Sequence, residues 1–321
     1  MMRRWGWVPL LLAAVVLPWV ADALGSPATT ALATRIAILG LAAASLDLIL
    51  GRGGMVSFGH AAFYGLGGYT VGILYAHWSG GEALWGLVPG SNALLVTAPA
   101  AMLVGGVAAA AIGALSLRTA GVQFIMITLA FAQMLFFLFV GLKAYGGDDG
   151  LMIRRKNLVP GMDLRDPAQM YWLSLGLLVA WLALQRRVVR SRFGRVLDGA
   201  RQNPRRMAAL GVSAYPYRLA AFTLAGMGAA LAGALMANHQ RFVSPDMMAW
   251  QSSGELLVMV ILGGMGTLLG PVVGAAVLVT LETVLAGLTE HWPFILGPLL
   301  VLVALLWRGG VMGAFGVRRG G

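Results

Sequence analysis

Residues 254–288 read GELLVMVILGGMGTLLGPVVGAAVLVTLETVLAGL, and this stretch decides the fold class. It carries only two charged side chains, Glu255 and Glu282, and is far longer than the roughly 20 apolar residues that one membrane crossing needs. Glycine and proline break it in the middle, near residues 263–271. The stretch therefore predicts two half-helices or two tightly joined spans. A single kinked helix is the alternative.

The rest of the chain has the same apolar character. Of its 321 residues, 59% are apolar and 11% charged, against about 45–50% and 25% in soluble domains. Further apolar spans are predicted at 6–23, 31–50, 55–77, 93–115, 121–142, 170–184, 217–237 and 291–307. The sequence thus predicts an all-α polytopic membrane protein with about 8–10 transmembrane helices in one domain, 1–321. Soluble enzymes, nucleic-acid modules and disulfide scaffolds are excluded, and the chain has no cysteine.

The basic residues predict the orientation, because they gather on the cytoplasmic side of a membrane. Placing both termini, Arg52, Arg118 and residues 185–218 inside puts 16 of the 23 Lys and Arg there. Residues 185–216 contain eight arginines and one acid, so we expect a cytoplasmic loop, whereas 143–169 carries five bases and four acids and is expected outside. Residues 1–23 are expected to form an uncleaved first helix; a cleaved signal peptide is the alternative.

Several kinds of chemistry have no sequence support. There is no G-x-x-x-x-G-K-[ST] phosphate loop, so the chain is not expected to hydrolyse ATP itself. The four histidines lack H-E-x-x-H spacing, and no G-x-S-x-G motif is present. We therefore expect a transport subunit rather than an enzyme, with no cofactor and no metal.

Polar side chains inside the apolar spans are candidates for a translocation path. Ser57, His60 and Tyr64 have the spacing of one helical face, beside small residues that permit close helix packing. Gln123 and Gln133 share a stripe of another span, and Glu282 is the strongest intramembrane acid. For each of them the alternative is a structural hydrogen bond between helices.

Two other patterns leave alternatives open. Residues 191–211 form a basic amphipathic stretch, which either lies on anionic lipid or couples the membrane domain to a cytoplasmic motor. Gly53-Gly54-Met55 and Gly263-Gly264-Met265 each open a glycine-rich apolar segment. They indicate an internal duplication, as is common in transporters, or a chance match.

Five motifs in order resemble one family: SFGHAAFYGLGGY (57–69), TAGVQFIMITLAFAQM (119–134) with GGDDGL (146–151), SRFGR…RQNPRRMAALGV (191–212), FVSPD (242–246) and SGELLVMVILGGMGTLLGPVVGA (253–275). Together they resemble the LivM-type permease of branched-chain amino-acid ABC importers. The resemblance covers about residues 30–307. In that family Asn is usual where this chain has Asp47.

The resemblance implies a bacterial inner-membrane permease that forms half of an ATP-driven path for branched-chain or other small apolar amino acids. Its implied partners are a LivH-type sister permease, two cytoplasmic ABC ATPases and a periplasmic substrate-binding protein, with no nucleic acid. The implied ATPase-coupling residues are Phe193, Gly194, Arg195, Asn203, Arg205, Arg206, Leu210 and Gly211. Urea or short amides are alternative solutes, and a stand-alone secondary carrier or channel is an alternative function.

Overall fold

A computed structural model of the chain describes residues 27–81, 83, 86, 88–289, 291, 293–298 and 310–314. The span predicted at 6–23 lies outside the described residues, as does most of the span at 291–307. The helices are α1 (Pro27–Asp47), α2 (His60–Gly80), α3 (Leu94–Ser116), α4 (Val122–Gly141), α5 (Pro167–Arg190), α6 (Arg192–Gln202), α7 (Pro204–Ala209), α8 (Ala214–Gln240), α9 (Trp250–Gly263), α10 (Gly270–Leu288) and α11 (Gly310–Ala314). Residues 293–298 are also helical.

Shorter elements join these helices. A π-helical turn, Leu48–Arg52, extends α1, and 3₁₀ turns occupy Lys143–Tyr145, Gly147–Asp149 and Pro245–Met248. The described sheet consists of β1 (Leu151–Met152) and β2 (Phe242–Val243), which pair antiparallel. Six of the described helices are long and apolar enough to cross a membrane: α1 with its π turn, α3, α4, α5, α8 and α10. The prediction of an all-α polytopic membrane protein is confirmed.

Helix α8 is the centre of the bundle and packs against α1, α2 and α3. Small residues make this possible: Gly67 of α2 lies directly against the backbone carbonyl of Ala230, and Gly233 of α8 lies against the carbonyl of Tyr64. Without side chains at these points the two backbones touch, and van der Waals packing replaces the hydrophobic effect that drives association in water.

The small-residue face of α2 packs against an irregular segment and not, as the sequence predicted, against a neighbouring helix. Gly65 lies against Met248, and Gly68 lies against Met247 and Val243. The chain between β2 and α9 thus runs along α2 instead of staying at one end of the bundle.

Residues 254–288 form a helical hairpin, which makes the single kinked helix wrong. Gly263 lies against the carbonyl of Gly270, and Gly274 lies against the carbonyl of Met259, so α9 and α10 run antiparallel with their backbones in contact. The hydroxyl of Thr267 holds the turn: it donates to the Gly264 carbonyl (2.8 Å) and accepts from the Gly270 amide (3.1 Å). Helix α9 has only 14 residues, about 21 Å, against an apolar layer of about 30 Å.

The connections gather at two ends of the bundle. The arginine-rich end contains α6, α7 and the turns at 48–59 and 264–269. The opposite end, called the ribbon end here, contains β1, β2 and the long connection between α4 and α5. There the His77 ring bonds the Tyr145 hydroxyl (3.0 Å).

Candidate functional site

The polar face predicted on α2 does not start at Ser57, because the helix begins at His60. Ser57 lies in the preceding turn, where its hydroxyl accepts a hydrogen bond from the Gly59 amide (3.2 Å). The His60 ring bonds the hydroxyl of Ser45 on α1 (2.9 Å). Both Ser57 and His60 are fully buried, so these contacts favour the structural alternative for the two residues.

Helix α2 begins inside the bundle. Its Ala61 amide, an unsatisfied donor of the first turn, bonds the hydroxyl of Ser253 on α9 (3.0 Å). The preceding Gly59 lies against the carbonyl of Thr128, nearly two turns into α4. Irregular backbone within an apolar bundle persists only where protein or a water-filled path satisfies it, and such breaks are typical of transporters.

The two glutamines of α4 stay apart from each other. Gln123 is exposed near the start of the helix, while Gln133 is half-buried, ten residues or about 15 Å further along. The amide nitrogen of Gln133 is buried without a hydrogen-bond partner among the described residues.

Glu282 is not alone in its span. It accepts a hydrogen bond from the Arg35 guanidinium of α1 (Nη2 to Oε2, 3.1 Å), and the two side chains are 37% and 28% exposed. Glu255 of α9 and Tyr64 of α2 lie within electrostatic range of Arg35. Arg35 was not among the residues predicted from the sequence, although a lone cation inside the span predicted at 31–50 is itself a signal that a partner is needed.

The two Gly-Gly-Met segments both lie at the arginine-rich end, where residues beside them are in contact. Asp47, 1% exposed, accepts a hydrogen bond from the Gly266 amide (2.7 Å), and Gly51 packs directly against Gly266. Each segment forms the turn between two helices, α1 and α2 in one case and α9 and α10 in the other. This equivalence of position supports an internal duplication. The role of Asp47 was also missed from the sequence.

Helices α6 and α7 are fastened to the bundle at the same end. Asp198 of α6 pairs with Arg52 of the π turn (3.5 Å), and the aliphatic stem of Arg201 covers Gly54. From α8, the Arg218 guanidinium donates to the carbonyl of Ala200 (3.1 Å). A displacement of α6 would therefore be transmitted to both α1 and α8.

The residues implied for coupling divide into two groups. One group fixes the local structure: Phe193 stacks near Tyr217 of α8 (ring centroids 5.6 Å), Gly194 lies against the Val189 carbonyl, and Asn203 caps α7 by accepting from the Arg206 amide (2.9 Å). The other group faces outward and comprises Arg195, Arg205, Arg206, Leu210 and Gly211. Leu210 is 68% exposed, which is unusual for a leucine outside the apolar layer.

A basic basin opens at the ribbon end. Its cavity, about 510 Å³, is lined by Arg154, Arg155, Lys156, Arg165, His239 and Arg241. Among the described residues none of these cations lies within 4 Å of a carboxylate oxygen. Burial and the positive charge of Arg241 lower the pKa of Lys156, and Asp163 and Asp166 only partly oppose this. The basin thus has an excess of positive charge that Asp163 and Asp166 offset only in part.

These features define a polytopic membrane transport subunit: a bundle with a helix that begins inside it, an ion pair within the spans and a basic element fastened to one end. The family profile described as the permease component of branched-chain amino acid transport systems matches residues 28–305. The chain belongs to this family.

Curated relatives agree with the family. The chain is 28% identical to the high-affinity branched-chain amino acid transport system permease protein LivM of Salmonella typhimurium, over 93% of this chain and 72% of the relative. It is 27% identical to LivM of Escherichia coli, over 94% and 72%. A shorter match, 37% identical over 42% of this chain and 41% of the relative, is to the autoinducer 2 import system permease protein LsrC of Klebsiella pneumoniae. No solved structure gives a significant match.

Proposed function

We propose that this chain is the LivM-type subunit of an ATP-driven ABC importer in the bacterial inner membrane, with both termini in the cytoplasm. It forms half of the path for branched-chain or other small apolar amino acids, beside a LivH-type sister permease. Two cytoplasmic ABC ATPases drive it, and a periplasmic binding protein delivers the solute. The family assignment and the relatives named LivM support this solute class.

The observation that carries the proposal is the construction of α6 and α7. One face is fastened to α1 and α8 through Asp198 and Ala200, while the other presents arginines and an exposed Leu210. An element that merely lay on lipid would not need these fixed contacts to two core helices. The same element would pass ATPase motion to Arg52, and from the end of α1 through Asp47 to the α9–α10 turn.

The first prediction concerns the ATPases. Changing Arg195, Arg206 and Leu210 together to alanine should reduce co-purification of the ATPases at least tenfold, because these exposed side chains would carry most of the contact with them. The side chains are not needed for the fold, so the chain itself should stay intact. The tagged chain is purified from its native membrane in mild detergent, and its partners are quantified by mass spectrometry. Arg154→Ala, an exposed arginine at the ribbon end, is the matched control and should retain them.

Three results would speak against this reading. If the wild-type chain is recovered without a second permease and ATPases, the importer proposal fails. A chain that moves solute in liposomes without ATP would be a stand-alone carrier or channel. Equal ATPase recovery from the triple variant and Arg154→Ala would place the coupling surface elsewhere.

We propose that the ribbon end, which includes the loop at 143–169, receives the binding protein. The basic basin is suited to an acidic surface, because close opposite charges steer association and fix its register. Asp148 and Asp149 lie in a 3₁₀ turn of the same loop and carry the opposite charge. The basic basin would then attract an acidic surface of the binding protein, while Asp148 and Asp149 would repel it.

The second prediction follows from that difference in sign. The double variant Arg154→Glu/Arg241→Glu should weaken docking of the binding protein at least tenfold at low salt, and the effect should shrink as salt screens it. Asp148→Lys/Asp149→Lys should change docking less or in the opposite direction. Affinity is measured on the reconstituted complex in lipid nanodiscs. Unchanged affinity in both double variants would remove the loop from the docking surface.

A further inference from the structure

Three helices bring charged side chains together within the membrane-spanning part of the bundle. Arg35 of α1 meets Glu282 of α10, and Glu255 of α9 lies within electrostatic range of both. Helix α1 packs against both α9 and α10, so one helix interface contains the whole group. Arg35 lies eight residues, about 12 Å, from the ribbon end of α1.

Much of the hydrogen-bonding capacity of this group is unused. A guanidinium has five N–H donors, and Arg35 donates one hydrogen bond among the described residues, to Glu282. Glu255 is exposed and has neither a hydrogen bond nor an ion pair among the described residues. Two acidic side chains share one guanidinium, and only Glu282 forms an ion pair with it among the described residues.

An ionisable side chain without an ion-pair partner is expensive inside an apolar layer, and ionisable groups there mark substrate or ion paths. The unused groups are a cationic donor and an anionic acceptor on neighbouring helices. The complementary ligand carries a carboxylate and an ammonium close together, as an α-amino acid does. Urea and short amides have no charge to satisfy either group.

We propose that Arg35, Glu255 and Glu282 form a zwitterion-binding site in the translocation path. The unused donors of Arg35 take the α-carboxylate, and Glu255 takes the α-ammonium, while Glu282 holds Arg35 in place. This proposal rests on the proposed function and deepens it. The three residues bind the charged end that all α-amino acids share, and they do not select the apolar side chain.

Glu255 gives the sharpest test, because its replacement leaves the Arg35–Glu282 pair intact. The complete importer with its binding protein is reconstituted in proteoliposomes, and leucine uptake and ATP hydrolysis are measured together. We expect Glu255→Gln to lower leucine moved per ATP about tenfold, since a charge-assisted hydrogen bond is lost. The thermal midpoint of the complex should stay at the wild-type value. Thr283→Val, beside Glu282 on α10, is the matched control and should transport normally.

The Arg35–Glu282 pair is tested by reversal. If the pair only joins two helices, the double variant Arg35→Glu/Glu282→Arg regains both the stability and the transport that each single variant loses. That result would overturn the proposal. If Arg35 binds the carboxylate, reversal restores stability but leaves leucine moved per ATP at least tenfold low. A Glu255→Gln importer with wild-type leucine transport would equally overturn the site. Failure of the wild-type complex to accumulate leucine with ATP would instead refute the proposed function.

Discussion

Gly67→Val is expected to abolish accumulation of folded protein, and Gly67→Ala to reduce it severalfold. A Cβ on Gly67 would overlap the Ala230 carbonyl, so α2 and α8 would have to separate. Neither backbone can rotate away as a flexible side chain would. Overpacking typically costs about 1–3 kcal/mol, and valine adds two further methyl groups to the same contact.

Gly176→Val and Gly176→Ala on α5 are the matched controls, because nothing lies within 4 Å of a Cβ at that position. Each variant is expressed at the same level, and the monodisperse yield and thermal midpoint are compared in detergent. The Gly176 variants should match the wild type. A Gly67→Val protein with normal yield and midpoint would mean that α2 and α8 are not in backbone contact.

Asp47→Ala is the second change with a large expected effect. It removes the acceptor for the Gly266 amide, and an unsatisfied buried donor costs about 1–3 kcal/mol. It also breaks the link between the end of α1 and the α9–α10 turn, through which we propose that ATPase motion travels. We therefore expect leucine moved per ATP to fall at least tenfold, with a lower thermal midpoint.

Asp47→Asn is the informative companion, because an amide oxygen still accepts the Gly266 hydrogen bond. It should restore most of the transport, in keeping with the Asn usual at this position in LivM-type permeases. Both variants are measured in the proteoliposome assay of uptake against ATP hydrolysis. Transport that is lost equally in both variants would show that the negative charge matters, and not the hydrogen bond.

The sequence predicted the fold class and the places where helices break, because apolar length and glycine-proline breaks are local properties. It could not choose between a kink and a hairpin at 254–288. That choice depends on the backbone contact of Gly263 with Gly270, which no local pattern specifies. The start of α2 was missed for a similar reason: the acceptor for its first-turn Ala61 amide is Ser253, which is 192 residues away.

The candidate site was predicted less completely. Glu282 was recognised as an acid inside a span, but its partner Arg35 lies 247 residues earlier and was overlooked. The family motifs indicated the coupling stretch as a whole. Only packing separates Phe193, which holds α6 on α8, from Leu210, which is free to contact another protein.

The same long separation has a consequence for synthesis. As the chain leaves the ribosome, α1 enters the membrane well before α10 exists, so Arg35 begins without Glu282. A lone arginine near the middle of a span disfavours insertion by about 2.5–3.5 kcal/mol, which the apolar remainder of α1 must offset. Residues 254–288 emerge late and as one apolar stretch. The α9–α10 hairpin therefore supplies the acid that pairs with the arginine of the first described helix, and this contact can form only late in assembly.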